Sequence, residues 1–278
     1  MKPLAIDLFC GLGGWSDGLL AEGWDVIGFD IERHEYGEHR YPAQLVLQDI
    51  LTLHGSQFRH ASLIVASPPC QEFSHMAMPF SRGRQIAAAL RGNGDFPSGY
   101  TGSRTISELT ALFDACFRLQ REASEAAGRH IPLVVENVKG AQPWVGRAKW
   151  HYGSYYLWGD IPALMPSVAS LRKSKHEARH YGMKSSAEHG VKQHGSGAAW
   201  FDKALDERRK AATTTKGGGD CFGAGADCSL QRKASSGNTS RKAASALIAK
   251  IPLALARHIA AVYYPHGKEC VARWEVTA

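Results

Sequence analysis

The first half of the chain alternates short apolar runs with amphipathic stretches, the pattern of a parallel sheet whose strands are joined by crossover helices. Leu4 to Phe9, Val26 to Phe29, Leu45 to Leu47, Leu63 to Ala66 and Leu133 to Val135 read as five strands. Trp15 to Ala21 reads as a helix that Gly23 closes. Ile106, Leu109, Leu112, Phe113, Cys116 and Phe117 recur at helical spacing, behind a capping box of Thr105 and Glu108 and ahead of Gly128 as a stop. Near the end, order returns with Ala243 to Ile248, and Pro252 opens a helix that closes before Pro265.

Between these elements the periodicity lapses twice. Glu72 to Arg104 is rich in Gly, Pro, Ser and Arg and reads as roughly 30 structureless residues, a length that inside a compact domain marks a functional loop. Tyr152, Tyr155, Tyr156 and Trp158 give residues 151–166 a strand-like character. After Pro166 the pattern fades, and Thr213 to Ser240 is dominated by Gly, Ser and Thr. The division this predicts is a main α/β domain over residues 1–164, completed by 241–278, with a small insert over 165–240.

Charge separates these parts further. The chain carries 33 Lys and Arg against 26 Asp and Glu, a net +7, yet residues 1–150 are slightly acidic at 14 − 16 = −2 and residues 151–278 strongly basic at 19 − 10 = +9. Residues 171–242 alone reach 15 − 7 = +8 and add His176, His180, His189 and His194. Such a segment suits a polyanion, nucleic acid above all, or is a solvated basic loop. With 44% hydrophobic and 21% charged residues, the 278-residue chain is neither a disordered tail nor a fibrous scaffold. No run of about 18 uncharged apolar residues occurs, and Asp7 interrupts the apolar start, so neither a membrane span nor a signal peptide is expected. Six scattered cysteines fit no disulfide framework, which points to a reducing, cytoplasmic compartment; a monomer is expected. Cys221 and Cys228 lack paired Cys-x-x-Cys geometry, so no metal is expected.

Three groups of residues carry chemistry. Asp7-Leu8-Phe9-Cys10-Gly11-Leu12-Gly13-Gly14 ends the first strand in a Gly-rich turn ahead of a helix, which lets backbone approach a ligand closely. Asp30 at the end of the next strand can accept from ribose hydroxyls, and Asp49 after the third adds another acceptor or is a plain cap. Ser67-Pro68-Pro69-Cys70-Gln71 holds a thiol on a rigid turn after the fourth strand, where open α/β sheets bind ligands. Cys10, Cys116 and Cys270 read as inert. Val134-Val135-Glu136-Asn137-Val138 brings a carboxylate to the end of the next strand. A thiolate at C6 of a pyrimidine, an acid at N3 and a methyl donor near C5 would together methylate a base, provided the base leaves the stack.

In these blocks the chain resembles the DNA (cytosine-5) methyltransferase family, in a short form similar to phage and prophage enzymes. DLFCGLGG (7–14), FDIE (29–32), QDI (48–50), SPPCQEFS (67–74) and ENVKG (136–140) stand in the family's order and spacing. The resemblance implies a Rossmann-like S-adenosylmethionine-dependent methyltransferase fold with a small basic recognition insert. It implies S-adenosyl-L-methionine held by Phe9, Gly11, Gly13, Asp30, Asp49 and Pro69, with Ile31 and Ile50 against adenine. Cys70 is then the nucleophile and Glu136 the acid at N3. Double-stranded DNA is the expected partner, contacted by Gln71, Ser74, Arg147, Arg172, Lys173 and Lys175. Two departures stand out: the Gln-x-Arg-x-Arg strand after ENV is missing, with Arg147 and Lys149 in its place, and the family's Gly-Asn pair before the last helix is replaced by Ala249-Lys250. Rival readings are an RNA cytosine methyltransferase, a relative that transfers an altered sulfonium substituent, and a silent DNA-binding relative.

Overall fold

The computed structural model describes residues 2–70, 73, 80–89, 91–94, 106–152, 155–165, 246–247 and 249–265. Among the described residues there are seven strands: β1 (Leu4–Leu8), β2 (Asp25–Asp30), β3 (Gln44–Leu47), β4 (Leu63–Ala66), β5 (Leu133–Asn137), β6 (Trp150–Tyr152) and β7 (Tyr155–Gly159). They form one sheet in the order β3-β2-β1-β4-β5-β7-β6. The first five are parallel, whereas β7 runs antiparallel to both β5 and β6. The chain winds outward from β1 to β3, then restarts at β4 and winds the other way. The switch point between β1 and β4 is where such Rossmann-like sheets open a crevice for ligands.

Five helices are described: α1 (Gly14–Ala21), α2 (Phe80–Ala89), α3 (Ile106–Ala127), α4 (Gln142–Val145) and α5 (Leu253–Tyr263). The central strands β1, β4 and β5 are buried and largely apolar on both faces because both are covered. Ile6, Leu8, Ile64, Ala66, Leu133 and Val135 pack with Phe113, Cys116 and Leu119 of α3. On the other face Ala5, Val26, Leu63, Val65 and Val134 pack with Trp15 and Leu19 of α1 and with Leu255, Ala256 and Ile259 of α5. Each of these large side chains contributes about 1.5–3 kcal/mol by leaving water. Trp24 clamps the returning helix by donating from Nε1 to the Ala260 carbonyl at 3.1 Å.

The strands and α3 lie where the apolar pattern predicts, and Gly128 ends α3 at φ +63°. Two expectations are revised. Glu136 and Asn137 lie inside β5, not beyond it, because the antiparallel β7 extends its ladder through Glu136↔Leu157 and Asn137↔Tyr156. Within the stretch read as a structureless loop, Phe80–Ala89 forms α2, with Ile86 in the core. Its apolar face is too narrow, and Gly83 too unfavourable in a helix interior, for sequence periodicity to reveal it. Thr105 of the proposed capping box and the insert's residues 166–240 lie outside the described residues.

Candidate active site

The Gly-rich turn begins where β1 ends. Phe9, Gly11 and Gly13 all take positive φ, at 57°, 50° and 73°, a region that side-chain-bearing residues adopt at a cost and glycine adopts freely. The Gly13 N–H donates to the Cys10 carbonyl at 2.7 Å and closes the turn. Asp30 ties it to β2: its Oδ2 accepts from the Gly11 N–H at 2.9 Å, and its Oδ1 from the N–H groups of Ile31 at 2.8 Å and Glu32 at 3.3 Å. Burial acts to raise the Asp30 carboxyl, but the hydrogen bonds from His34, Gly11 and Glu32 and the charge of His34 outweigh it and hold Asp30 below the usual carboxylate range. Asp30 is therefore an ionised acceptor at the carboxyl end of β2.

The neighbouring residues divide by position. Ile31 is 74% exposed beside Asp30, an apolar face open to a ligand, whereas Ile50 is buried in the core. Asp49 Oδ1 accepts from the Leu51 N–H at 2.9 Å and caps the turn that follows β3. Positive φ in the turn, an ionised acid on the next strand and an exposed isoleucine next to it fit a nucleoside cofactor.

The turn holding Cys70 is braced from three sides. Trp15 Nε1 of α1 donates to Ser67 Oγ at 3.0 Å. Asn137 Nδ2 of β5 donates to the Pro68 carbonyl at 3.0 Å, while Asn137 Oδ1 accepts from the Val138 N–H at 2.8 Å. The Phe73 N–H donates to the Cys70 carbonyl at 3.0 Å. Gly140, the glycine of ENVKG, allows the last approach: a Cβ there would stand 1.9 Å from the Phe73 carbonyl oxygen. Cys70 itself is half-buried.

Glu136 is buried at 6% exposure in the strand adjacent to the one that launches Cys70. Since Ala66 pairs with Val135, the carboxyl ends of β4 and β5 are level, and Cys70 and Glu136 share one edge of the sheet. That edge also carries the Gly-rich turn. Phe9, Gly11, Gly13, Asp30, Ile31, Asp49, Pro69, Cys70 and Glu136 therefore gather at the carboxyl ends of β1 to β5. Arg147 lies apart, exposed beyond α4. Gln71, Ser74, Arg172, Lys173 and Lys175 lie outside the described residues. Cys10 and Cys116 are buried, and burial pushes both thiols well above their ordinary value, for Cys10 with help from the charges of Asp7 and Asp30. Both are poor thiolates.

Sequence reasoning passed over a second layer. Ser16 Oγ donates to Asp7 Oδ2 at 2.6 Å and shares a hydrogen bond with Tyr41 Oη at 2.7 Å, linking β1, α1 and the segment before β3 under the Gly-rich turn. Asp7 Oδ1 is buried without a hydrogen-bond partner. Desolvation pushes the Asp7 carboxyl up to about 8 against the bond from Ser16, with the charges of Asp30 and Asp17 adding to the rise. Only the charged residue within the apolar β1 run hinted at this layer; Ser16 and Tyr41 gave no signal.

The fold and this edge define an α/β protein of Rossmann-like topology, with a thiol and a carboxylate beside a Gly-rich turn. Residues 4–85 match the model of the C-5 cytosine-specific DNA methylase family, and over that segment the chain is similar to it. Glu136 lies beyond the matched segment. No curated protein matches the chain significantly. Among solved structures, a putative DNA modification methyltransferase encoded within an Escherichia coli prophage is 23% identical, with a TM-score of 0.32, over 50% of this chain and 33% of its own. Schizosaccharomyces pombe Dnmt2 is 16% identical, with a TM-score of 0.24, over 51% of this chain and 36% of its own. A mutant of Spodoptera frugiperda DNMT2 is 12% identical, with a TM-score of 0.36, over 94% of this chain and 99% of its own. The chain thus spans about a third of the length of the first two.

Proposed function

We propose that the protein transfers a methyl group from S-adenosyl-L-methionine to C5 of cytosine in double-stranded DNA. The observation that carries this is the common edge on which a braced, half-buried Cys70 and the buried Glu136 stand beside a Gly-rich turn tied to Asp30. Within this reading Phe9, Gly11, Gly13, Asp30, Ile31, Asp49 and Pro69 hold the cofactor, which supplies an electrophilic methyl group when bound; Ile50 supports the edge from the core.

Cys70 attacks C6 of the base as a thiolate, and the C5–C6 electron pair moves to C5. Glu136 hydrogen-bonds at N3 and stabilises the negative charge that spreads through the ring. Cys70 and Glu136 thus make C5 the nucleophile toward the methyl group that the cofactor held at the Gly-rich turn would supply, departing as a neutral thioether. Loss of the C5 proton to a base then restores the double bond and expels Cys70. The base must leave the duplex to reach Cys70, which costs a few kcal/mol. The basic segment 171–242 supplies the charge for binding DNA.

Base-resolution mapping of 5-methylcytosine in cells that express the protein tests the reading, together with a competition between duplex DNA and tRNA for labelled methyl groups in vitro. Sequence-specific methylation of DNA, with DNA preferred, is expected. Label that enters tRNA alone would move the activity to RNA, and a C5 substituent heavier than methyl would change the donor.

A further inference from the structure

Directly after β2 the chain sets one imidazole between two acids. His34 Nε2 lies 3.6 Å from Asp30 Oδ1, and His34 Nδ1 lies 3.6 Å from Glu32 Oε1. A neutral imidazole has a single N–H and would turn a lone pair on one of these carboxylates; only the doubly protonated ring offers a donor to both. His34 and Asp30 are shielded, with side chains 22% and 11% exposed, whereas Glu32 is 65% exposed. Tyr36 steadies the ring. The two ring centroids are 6.4 Å apart, and Tyr36 is itself fixed by the bridge to His39 across a turn in which Gly37 takes φ +63°.

This placement divides the two oxygens of Asp30. Oδ1 accepts from the N–H groups of Ile31 and Glu32 and faces His34, so its lone pairs are used. Oδ2 accepts from the Gly11 N–H, and with two lone pairs it has room for a further donor. Charge acts in the same direction. Asp30 and Glu32 stand two residues apart, and the charge of Asp30 also reaches the Asp7 carboxyl and the Cys10 thiol. Arg33 lies 3.5 Å from Glu35, so among the described residues His34 is the cation that faces this group of acids. With the ring neutral, Glu32 would repel Asp30 uncompensated.

On the cofactor reading above, on which this inference rests, the donor that completes Oδ2 is a ribose hydroxyl. We propose that His34 is a positioning residue for that contact: as an imidazolium it bridges Asp30 and Glu32, occupies Oδ1 and leaves Oδ2 to the ribose. The grip on the nucleoside then follows the charge of His34. An acceptor fixed before the ligand arrives lowers the ordering cost of binding. Imidazoles ordinarily lose their charge near about pH 6.5, so the contribution is present below that range and is lost as pH rises through it.

Calorimetry on the full chain tests this with two ligands: S-adenosylhomocysteine, which carries no net charge, and its 2′,3′-dideoxy analogue, which lacks the ribose hydroxyls. At pH 6, His34→Gln is expected to bind S-adenosylhomocysteine about fivefold more weakly than the wild type, the scale of a partly shielded ion pair. By pH 9 the wild type has lost the charge, and the two proteins should agree within about twofold. Comparing them at each pH cancels what Asp7 and the ligand's own ammonium contribute. The dideoxy analogue should show no such difference at either pH, and melting temperatures check that the variant folds. A loss of equal size at pH 6 and pH 9 would make His34 a structural residue and overturn the proposal. Equal weakening of both ligands, or no weakening at pH 6, would overturn it too. A wild type that binds neither ligand would instead refute the cofactor reading.

Discussion

The side-chain amide of Asn137 donates to the carbonyl of Pro68 at 3.0 Å, so the strand that carries Glu136 also holds the turn that carries Cys70. Asn137 is buried at 1% exposure, and its side-chain Oδ1 accepts from the Val138 N–H. Replacing it with Ala leaves the Pro68 carbonyl and the Val138 N–H without their partner, a loss of about 1–3 kcal/mol in stability. It also frees the Cys70 turn from β5. Methyl transfer by Asn137→Ala should fall at least about tenfold, since a small displacement of a reacting group is costly, while calorimetric affinity for the cofactor stays near wild type. Parallel loss of both would show that Asn137 supports the whole edge and not the nucleophile.

Cys70→Ala should abolish methyl transfer and leave cofactor affinity within a few fold, because the thiolate acts on the base and not on the donor. A duplex with 5-fluorocytosine should trap the wild type covalently, as fluorine at C5 cannot leave as a proton does. Mass spectrometry of the trapped peptide locates the bond. Methylation that survives in Cys70→Ala would refute the mechanism.

Asp30 is an ionised acceptor that also ties the Gly11 N–H. Its replacement by Ala should weaken S-adenosylmethionine binding by roughly 1–3 kcal/mol, the cost of buried hydroxyls left without a charged acceptor. Titration calorimetry measures this directly. Unchanged affinity would mean that the turn serves another ligand.

Asp7 should make stability fall as pH rises. In the unfolded chain its carboxyl ionises near the ordinary value of 3.8, and in the folded protein near about 8. The folded state thus binds the extra proton between these values, and stability declines across that window and levels off above it. Asp7→Asn, which cannot ionise, should nearly match the wild type at pH 4 and exceed it by roughly 5 kcal/mol at pH 8.5. Denaturant melts at the two pH values decide it, and a stability difference independent of pH would show that Asp7 is ionised in the folded state.

The basic insert should set affinity for DNA. Replacing Arg172, Lys173 and Lys175 together is expected to weaken binding to all duplexes alike and to flatten the salt dependence by up to roughly 0.9 for each phosphate that is no longer neutralised. Exchanging residues 165–240 for a relative's insert should move the methylated sequence and keep Cys70 chemistry intact. An active chimera that still marks the original sites would place recognition elsewhere, most simply in residues 72–104.

Much of this was legible in one dimension. Parallel strands buried on both faces must be apolar throughout, so Leu63 to Ala66 and Leu133 to Val135 announce themselves without a structure. Turns with positive φ favour glycine, so Gly11 and Gly13 mark the tight turn after β1, and Cys70 and Glu136 stand out because a thiol after Pro-Pro and a carboxylate ending an apolar run are chemically conspicuous. Tertiary structure alone decided which groups support them. Asn137 braces Pro68 across 69 residues and Tyr155 meets Lys250 across 95, separations that leave no periodic trace. Ser16 and Tyr41 are ordinary polar residues until the fold carries them to a buried Asp7. Local sequence specifies backbone geometry and hydrophobic faces, because these depend on near neighbours. The partners of a buried polar group are set only when distant strands and helices close on it, and there the chemistry of this site is tuned.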